Sequence, residues 1–346
     1  MKTAPPSTLL PMEAESVEEI PTGPGWQYEP KWDGFRCLVI REGEIVELQS
    51  KSGKPLGRYF PEIEAAVRGI GAKRFVLDGE IAVPVRGHFQ FDELLQRIHP
   101  AESRIRKLAA EHPAVLIVFD LLADGKDKEL RRRPLAERRL RLESFAKRFL
   151  RANKSIRLSP ATTSLGVAQR WFRGAGGNLD GVIAKRLDSP YRPGERSPAV
   201  LKIKPAKTAD CVVGGFRYLS RNEHVVGSLL LGLYDDDGLL HHVGFTSSLK
   251  AAERVRLTAQ LEELRKPPGF TGKAPGGPSR WSTKRSSEWE PLAPKLVVEV
   301  GYDQFSAGRF RHGTALIRWR PDKAPRQCTM AQVQRRSGAD VRLLGM

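Results

Sequence analysis

The sequence predicts an α+β chain with an irregular arm over residues 1–25, a mixed strand-and-helix domain over 26–206 and a small β-barrel domain over 207–346. Three observations carry this. The strands readable between 26 and 206 are not regularly separated by helices, which argues against a doubly wound parallel sheet. The composition changes after "KPAKTAD". Beyond that point many short strands bounded by turn residues follow one another, the pattern of a small barrel. A length of 346 residues suits about two domains.

The arm carries five prolines, several acids and little periodicity. "FRCLVIREGEIVELQS" reads as two strands around a turn at Glu42-Gly43. In "PEIEAAVRGIG", Ile63, Val67 and Ile70 fall near helical spacing before closing glycines. "RFVLDGEIAVPV", "AVLIVFDLL", "DGVIAKRL" and "AVLKIK" read as further strands. In the second domain "CVVGGFRYL", "VGSLLLGLYD", "GLLHHVGFT" and "KLVVEVGYDQF" are strands, interrupted by the helical "SLKAAERVRLTAQLEELRK". "KPPGFTGKAPGGPSR" reads as a surface loop.

The net charge of +18 points to a polyanionic partner, either nucleic acid or an acidic membrane face. Residues 126–157 hold thirteen Lys/Arg against four Asp/Glu, so half of the excess sits there. "LAERRLRLESFAKRFL" within it reads as a helix, either a solvated face or a phosphate-tracking surface. The three cysteines are far apart and form no CxxC pair, so neither a zinc module nor a disulfide framework is indicated, and a reducing compartment fits. No segment reads as a signal peptide or reaches bilayer-spanning length. A cytoplasmic protein is expected.

The chemistry-bearing residues cluster in a few motifs. Lys31 precedes an Asp-Gly and leads into an apolar strand. Lys202 and Lys204 in "LKIK" share one strand face, with Leu201 and Ile203 on the other. Paired cations suit an anion such as a triphosphate, and cations near Lys31 lower its pKa from about 10.4 toward that of a nucleophilic amine. Asp78 and Glu80 in "LDGE" share a strand face, and Asp180 opens another strand. Such carboxylates beside phosphates suit Mg²⁺. Phe119 in "VFDLL" reads as either a core aromatic or a base-stacking platform.

Together and in order, "KWDGFR", "SKSG", "LDGE", "FDLL", "DGVIAK", "LKIK" and "RPDK" resemble the covalent nucleotidyltransferase superfamily. Within it the chain is similar to the ATP-dependent DNA ligases. "YEPKWDGFR" with "RWRPDK" looks most like the small bacterial ones: the stand-alone ligase C type and the ligase domain of bacterial ligase D. The resemblance implies an adenylyltransferase domain of antiparallel, ATP-grasp-like sheets with helices, followed by an OB-fold domain.

It also implies a reaction. Lys31 attacks the α-phosphate of ATP to give a lysyl-AMP, AMP passes to the 5′-phosphate of a nick, and the 3′-hydroxyl displaces it. By the same resemblance Glu29 meets the adenine edge and Phe119 stacks on its face. Arg36 and Glu80 hold the ribose and the nick end, and Lys202 and Lys204 clamp the α-phosphate. Asp33, Glu80 and Asp180 organise Mg²⁺ or Mn²⁺. Arg320 and Lys323 orient pyrophosphate and then swing away.

Three positions depart from the family pattern: Asp180 stands for the usual glutamate, Lys51 for an arginine that would bind phosphate bidentately, and Val200 for a bulky aromatic. The expected partners are nicked duplex DNA and a repair polymerase or end-binding protein encoded separately, around a monomer on the nucleoid. No separate N-terminal DNA-binding domain is expected. The alternative within the superfamily is an RNA ligase or another polynucleotide nucleotidyltransferase.

Overall fold

The computed structural model describes residues 9–127, 129–174, 179–220, 223–276, 288–311, 313–333 and 341–345. Its contacts divide the chain into two units. One comprises Met1–Pro205 with Arg335–Met346, the other Ala206–Gln334. The break after Pro205 compares with an expected boundary at 206. Leu343 and Leu344, near the end of the chain, pack on Trp32, Phe89 and Leu179.

The first unit runs β1 (Glu13–Val17), β2 (Trp26–Trp32), β3 (Phe35–Glu42), β4 (Ile45–Ser50), α1 (Pro61–Arg68) and β5 (Arg74–Ala82). The short pair β6 (Pro84–Val85) and β7 (His88–Phe89) leads to α2 (Phe91–Gln96), α3 (Glu102–Glu111), β8 (Val115–Ala123) and α4 (Leu135–Phe149). It closes with β9 (Ile156–Leu158), α5 (Leu165–Arg173), β10 (Leu179–Arg186) and β11 (Arg196–Ile203). The arm expected to be irregular therefore contributes a strand. β1 pairs in parallel with β11, placing Ser16 opposite Lys202.

Two sheets form, ordered β1-β11-β10-β2 and β4-β3-β5-β8-β9. Each is antiparallel except for one parallel pair at an edge, β1 with β11 and β9 with β8. β8 lies between β5 and β9 with core on both faces, so it is buried along nearly its whole length and its apolar run is broken only by Asp120. Phe75, Leu116, Val118 and Phe145 of one cluster lie under the second sheet with α1 and α4. Tyr28, Ala168, Val182 and Ile203 join the first sheet to α5. The fully buried Arg41 closes α1 by donating from Nη1 to the carbonyls of Val67 and Ile70, both at 2.6 Å.

The second unit runs β12 (Lys207–Ser220), β13 (Glu223–Tyr234), β14 (Leu240–Thr246), α6 (Arg254–Glu263) and β15 (Glu290–Pro291). β16 (Val297–Tyr302), the pair β17 (Phe305–Ser306) and β18 (Arg309–Phe310), and β19 (Ala315–Trp319) complete it. Its main sheet runs β14-β13-β12-β16-β19. The edge strands meet at a single bridge, Thr246 to Thr314, so the ring is brought round without a closing ladder. Residues 277–280 of the expected Pro/Gly loop lie outside the described residues.

His242 on β14 is buried, and its Nε2 has no hydrogen-bond partner among the described residues. Burial, then the nearby Arg309 and Arg217, push its pKa down from 6.5 to about 3. The unfolded chain therefore binds the proton that the fold refuses. This contribution to stability is complete above pH 6.5 and is lost as pH falls toward 3. Replacing His242 with Phe is expected to flatten the decline of the melting temperature between about pH 6.5 and 5. An unchanged slope would show that other groups set the acid sensitivity.

Candidate active site

Lys31 owes its setting to a β-bulge. β10 pairs Leu179 with Trp32 and Gly181 with Lys31, so Asp180 is the extra residue. Gly181 has φ +139°, and a Cβ there would lie 2.0 Å from the Ile203 carbonyl oxygen, so only glycine makes this turn. The bulge turns the Asp180 side chain to the Lys31 face. There Asp180 Oδ2 takes Lys31 Nζ at 2.6 Å and Lys204 Nζ at 2.8 Å. Burial disfavours the charged carboxyl, but the two lysines prevail and hold it below the ordinary carboxylate range.

The geometry differs from the expected lysine crowded by bare cations. A shared carboxylate oxygen lies between Lys31 and Lys204. The cation that is disfavoured is Lys202, whose pKa is lowered by burial, then by Lys204 and Lys31. Lys202 pairs opposite Ile183, on the face away from the buried Ile203 as the strand alternation predicts.

Along the same face of β2, Glu29 is buried and doubly held. Gln27 Nε2 donates to Oε1 at 2.7 Å, and Lys185 Nζ lies 2.8 Å from Oε2. Phe119 faces the same cleft, with Lys185 Nζ at 4.6 Å and Arg36 Cζ at 4.7 Å from its ring centroid. Val200, which packs with Met12 and Tyr191, lines the wall of the cleft.

The second sheet supplies the other wall. Arg36 lies opposite Glu80 but reaches diagonally to Asp78, donating from Nε and Nη2 at 2.6 Å each. Asp78 is fully buried and also accepts from Tyr191 Oη at 2.7 Å. The backbone N–H of Met12 donates to that hydroxyl at 2.9 Å, which ties the arm into the cleft. Burial, then Asp78, raises the Tyr191 pKa well above its ordinary value, so it stays a donor. The Glu80 carboxyl is pushed up to about 7, first by burial, against Lys31 and Arg36, with Asp33 and Asp78 adding to the rise. Gly34 follows Asp33 because a Cβ would lie 2.2 Å from the Ile81 carbonyl oxygen. The close approach at this glycine is to β5.

The structure brings Glu29, Lys31, Arg36, Glu80 and Phe119 to one cleft within the first unit, with Lys204 joined to Lys31 through Asp180. Lys51 is exposed and paired with Glu13 at 2.9 Å, and Glu13 also takes Arg196. Arg320 and Lys323 are held in the second unit by Asp210, at 2.8 and 2.6 Å.

Lys185 and Tyr191 of the cleft, and Gln27 beside Glu29, escaped the sequence reading, and Asp78, read there as a carboxylate for a metal, is engaged by Arg36 and Tyr191. An Asp-Gly inside a strand pattern signals a bulge, and counting from it places Lys185 on the Lys31 face.

The basic stretch 126–157, described save for residue 128, keeps its charge excess but pairs several of its arginines. Arg131 and Arg132 pair with Glu129, Arg133 with Asp127, Arg139 with Glu143 and Arg141 with Asp124. Arg138 is buried against Asp120 through two 2.9 Å hydrogen bonds. Arg138 and Arg139 are thus buried in the fold, whereas Arg132 and Arg133 stay exposed beside their partners. Exposed cations remain at Lys147, Arg148, Arg151 and Lys154.

Comparison with known proteins bears on this site. Residues 11–204 match the ATP dependent DNA ligase domain family and 222–323 the ATP dependent DNA ligase C terminal region. The chain is 45% identical over 340 residues to DNA ligase C2 of Mycolicibacterium smegmatis, covering 94% of each. It is 45% identical over 343 residues to DNA ligase C of Mycobacterium tuberculosis, again covering 94% of each. A solved Lig E DNA ligase shares the fold, with a TM-score of 0.56 at 14% identity, covering 90% of this chain and all of that one. A nucleotidyltransferase domain followed by an OB-fold domain is the architecture, and the chain belongs to the ATP-dependent DNA ligase family.

Proposed function

We propose that this enzyme seals 5′-phosphate/3′-hydroxyl nicks in duplex DNA, with AMP carried first on Lys31 and then on the DNA 5′-phosphate. The observation that carries this is the Lys31–Asp180–Lys204 cluster, set in one unit with a cleft that holds Glu29 and Phe119. In the first step the Lys31 nitrogen bonds to the α-phosphorus, the bond to pyrophosphate breaks and the amine loses a proton. Asp180 orients the amine and is a poor proton acceptor, because its carboxyl is held below the ordinary range. Lys204 and Lys202 face the charge that develops on the phosphorus oxygens. In the last step the 3′-oxygen bonds to the 5′-phosphorus and AMP leaves, which needs no amine nucleophile.

Among the described residues no three His, Cys, Asp or Glu side chains gather as a metal site, and Asp180 is engaged by two lysines. The other carboxylates near Lys31 are Glu80 and Asp33, whose mutual repulsion contributes to the raised Glu80 pKa. So sparse a protein set fits Mg²⁺ or Mn²⁺ carried mainly by the nucleotide phosphates and water. When bound, the ion would neutralise phosphate charge.

Arg320 and Lys323 would orient pyrophosphate once released from Asp210. A role in DNA repair, as a cytoplasmic, nucleoid-associated monomer beside a separately encoded polymerase or end-binding protein, accords with the ligase relatives. No helix among the described residues is long and apolar enough to cross a membrane.

A 5′-labelled nicked duplex tests the reading. Closure is expected with ATP and a divalent cation, with transient adenylylated DNA, and not with GTP or NAD. Closure of many nicks per enzyme without ATP, or of nicked RNA alone, would refute it.

A further inference from the structure

Lys31 and Asp180 are framed by a pair of apolar residues. Trp32 follows Lys31, Leu179 precedes Asp180, and the two lie opposite each other where β2 and β10 enter the bulge. A tilt of this pair moves both charged side chains, which touch at 2.6 Å. A bulge is a weak point of a ladder, because its extra residue is unpaired, so packing must supply the restraint that hydrogen bonds do not. Trp32 is braced towards the second sheet. Its Nε1 donates to Ser159 Oγ at 2.9 Å, the Ser159 N–H donates to the Val118 carbonyl at 2.8 Å, and the Phe89 ring meets it edge-on at 5.8 Å.

The cluster around Trp32 and Leu179 holds six buried residues among those described, far fewer than the core under the second sheet. Leu343 and Leu344, on a 3₁₀ turn spanning Val341–Leu344, pack against it from a distant part of the chain. In so small a cluster two leucines are a large share of the apolar contact.

We propose that Leu343 and Leu344 are positioning residues for the Lys31 nucleophile. They hold the Trp32–Leu179 pair, and through it they keep the Lys31 amine and the Asp180 carboxylate aligned for the α-phosphate. Glu29, assigned above to the adenine edge, sits on the regularly paired part of β2 opposite Ile183, and Phe119 sits on the central strand β8. Loss of the two leucines therefore slows the reaction of bound ATP more than it weakens ATP binding.

The inference rests on Lys31 being the amine that takes AMP. The test compares the full chain with its Leu343→Ser/Leu344→Ser variant in two assays. One is single-turnover formation of AMP-labelled protein across ATP concentrations. The other is closure of a nick that already carries AMP on its 5′-phosphate. At saturating ATP the variant should label about tenfold to a hundredfold more slowly, the scale of a small misplacement of a reacting group. Its half-saturating ATP concentration, and its closure of the adenylylated nick, should stay within about threefold of wild type. Leu343→Met/Leu344→Met, which keeps the apolar volume, should regain most of the labelling rate.

An unchanged labelling rate in the folded serine variant would overturn the inference. So would equal losses in the two assays, which would mark general damage, or a methionine pair as slow as the serine pair. Should the serine pair not fold, Leu344→Ala decides in the same two assays, with a loss confined to labelling expected and equal rates overturning the inference. If wild-type protein takes no AMP from ATP, the adenylylation reading itself fails, and the inference with it.

Discussion

Lys31→Ala is expected to abolish AMP transfer to the protein while leaving the fold intact. The loss should be on the order of 10⁴-fold or more, the scale of removing a covalent nucleophile. The fold should survive because Asp180 keeps Lys204 as a partner at 2.8 Å and Gly181 still makes the bulge. The melting temperature should therefore stay near that of the wild type. The same variant should still close a nick that already carries AMP on its 5′-phosphate, since that step uses no amine. A variant that labels normally, or that fails equally on both substrates while folded, would contradict the role given to Lys31.

The largest effect on stability is expected at Asp120. Its carboxylate and the Arg138 guanidinium are 4% and 3% exposed, and Arg138 also donates to the carbonyls of Arg133 and Ser189 at 2.7 and 3.0 Å. Asp120→Ala leaves a buried guanidinium without its counter-charge, at a cost of about 3–5 kcal/mol. For a unit of this size that corresponds to a fall of roughly 10 °C in melting temperature. The more exposed pair Asp124–Arg141, whose arginine is on the same helix as Arg138, is the control, and Arg141→Ala should cost no more than about 1 kcal/mol. Equal effects at the two sites in a denaturant titration would show that burial does not govern the Asp120 pair.

Much of this was legible in the sequence because it depends on short-range periodicity. The "LKIK" alternation gave the face of Lys202, and "FRCLVIREGEIVELQS" gave the β3–β4 hairpin, since register follows from a period of two. What was not legible depends on distant pairing. β1 exists because its backbone bonds β11, nearly two hundred residues away, and nothing in "EAESV" announces that. The helix of 135–149, read as either a solvated face or a phosphate-tracking surface, hides Arg138 and Arg139 because Asp120 and the Ser159 carbonyl await them from other elements. Asp180 was identified, but its role as a shared counter-ion came from the bulge, which displaces a side chain in a way that a count along one strand misses.

The most direct test is to locate the AMP itself. Protein incubated with ATP and a divalent cation is digested under conditions that preserve a phosphoramidate, and the adduct is assigned by tandem mass spectrometry. The expected result is AMP on Lys31, in the peptide spanning "YEPKWDGFR", with Lys202 and Lys204 unmodified. AMP found on Lys202 or Lys204, with Lys31 unmodified, would contradict the account.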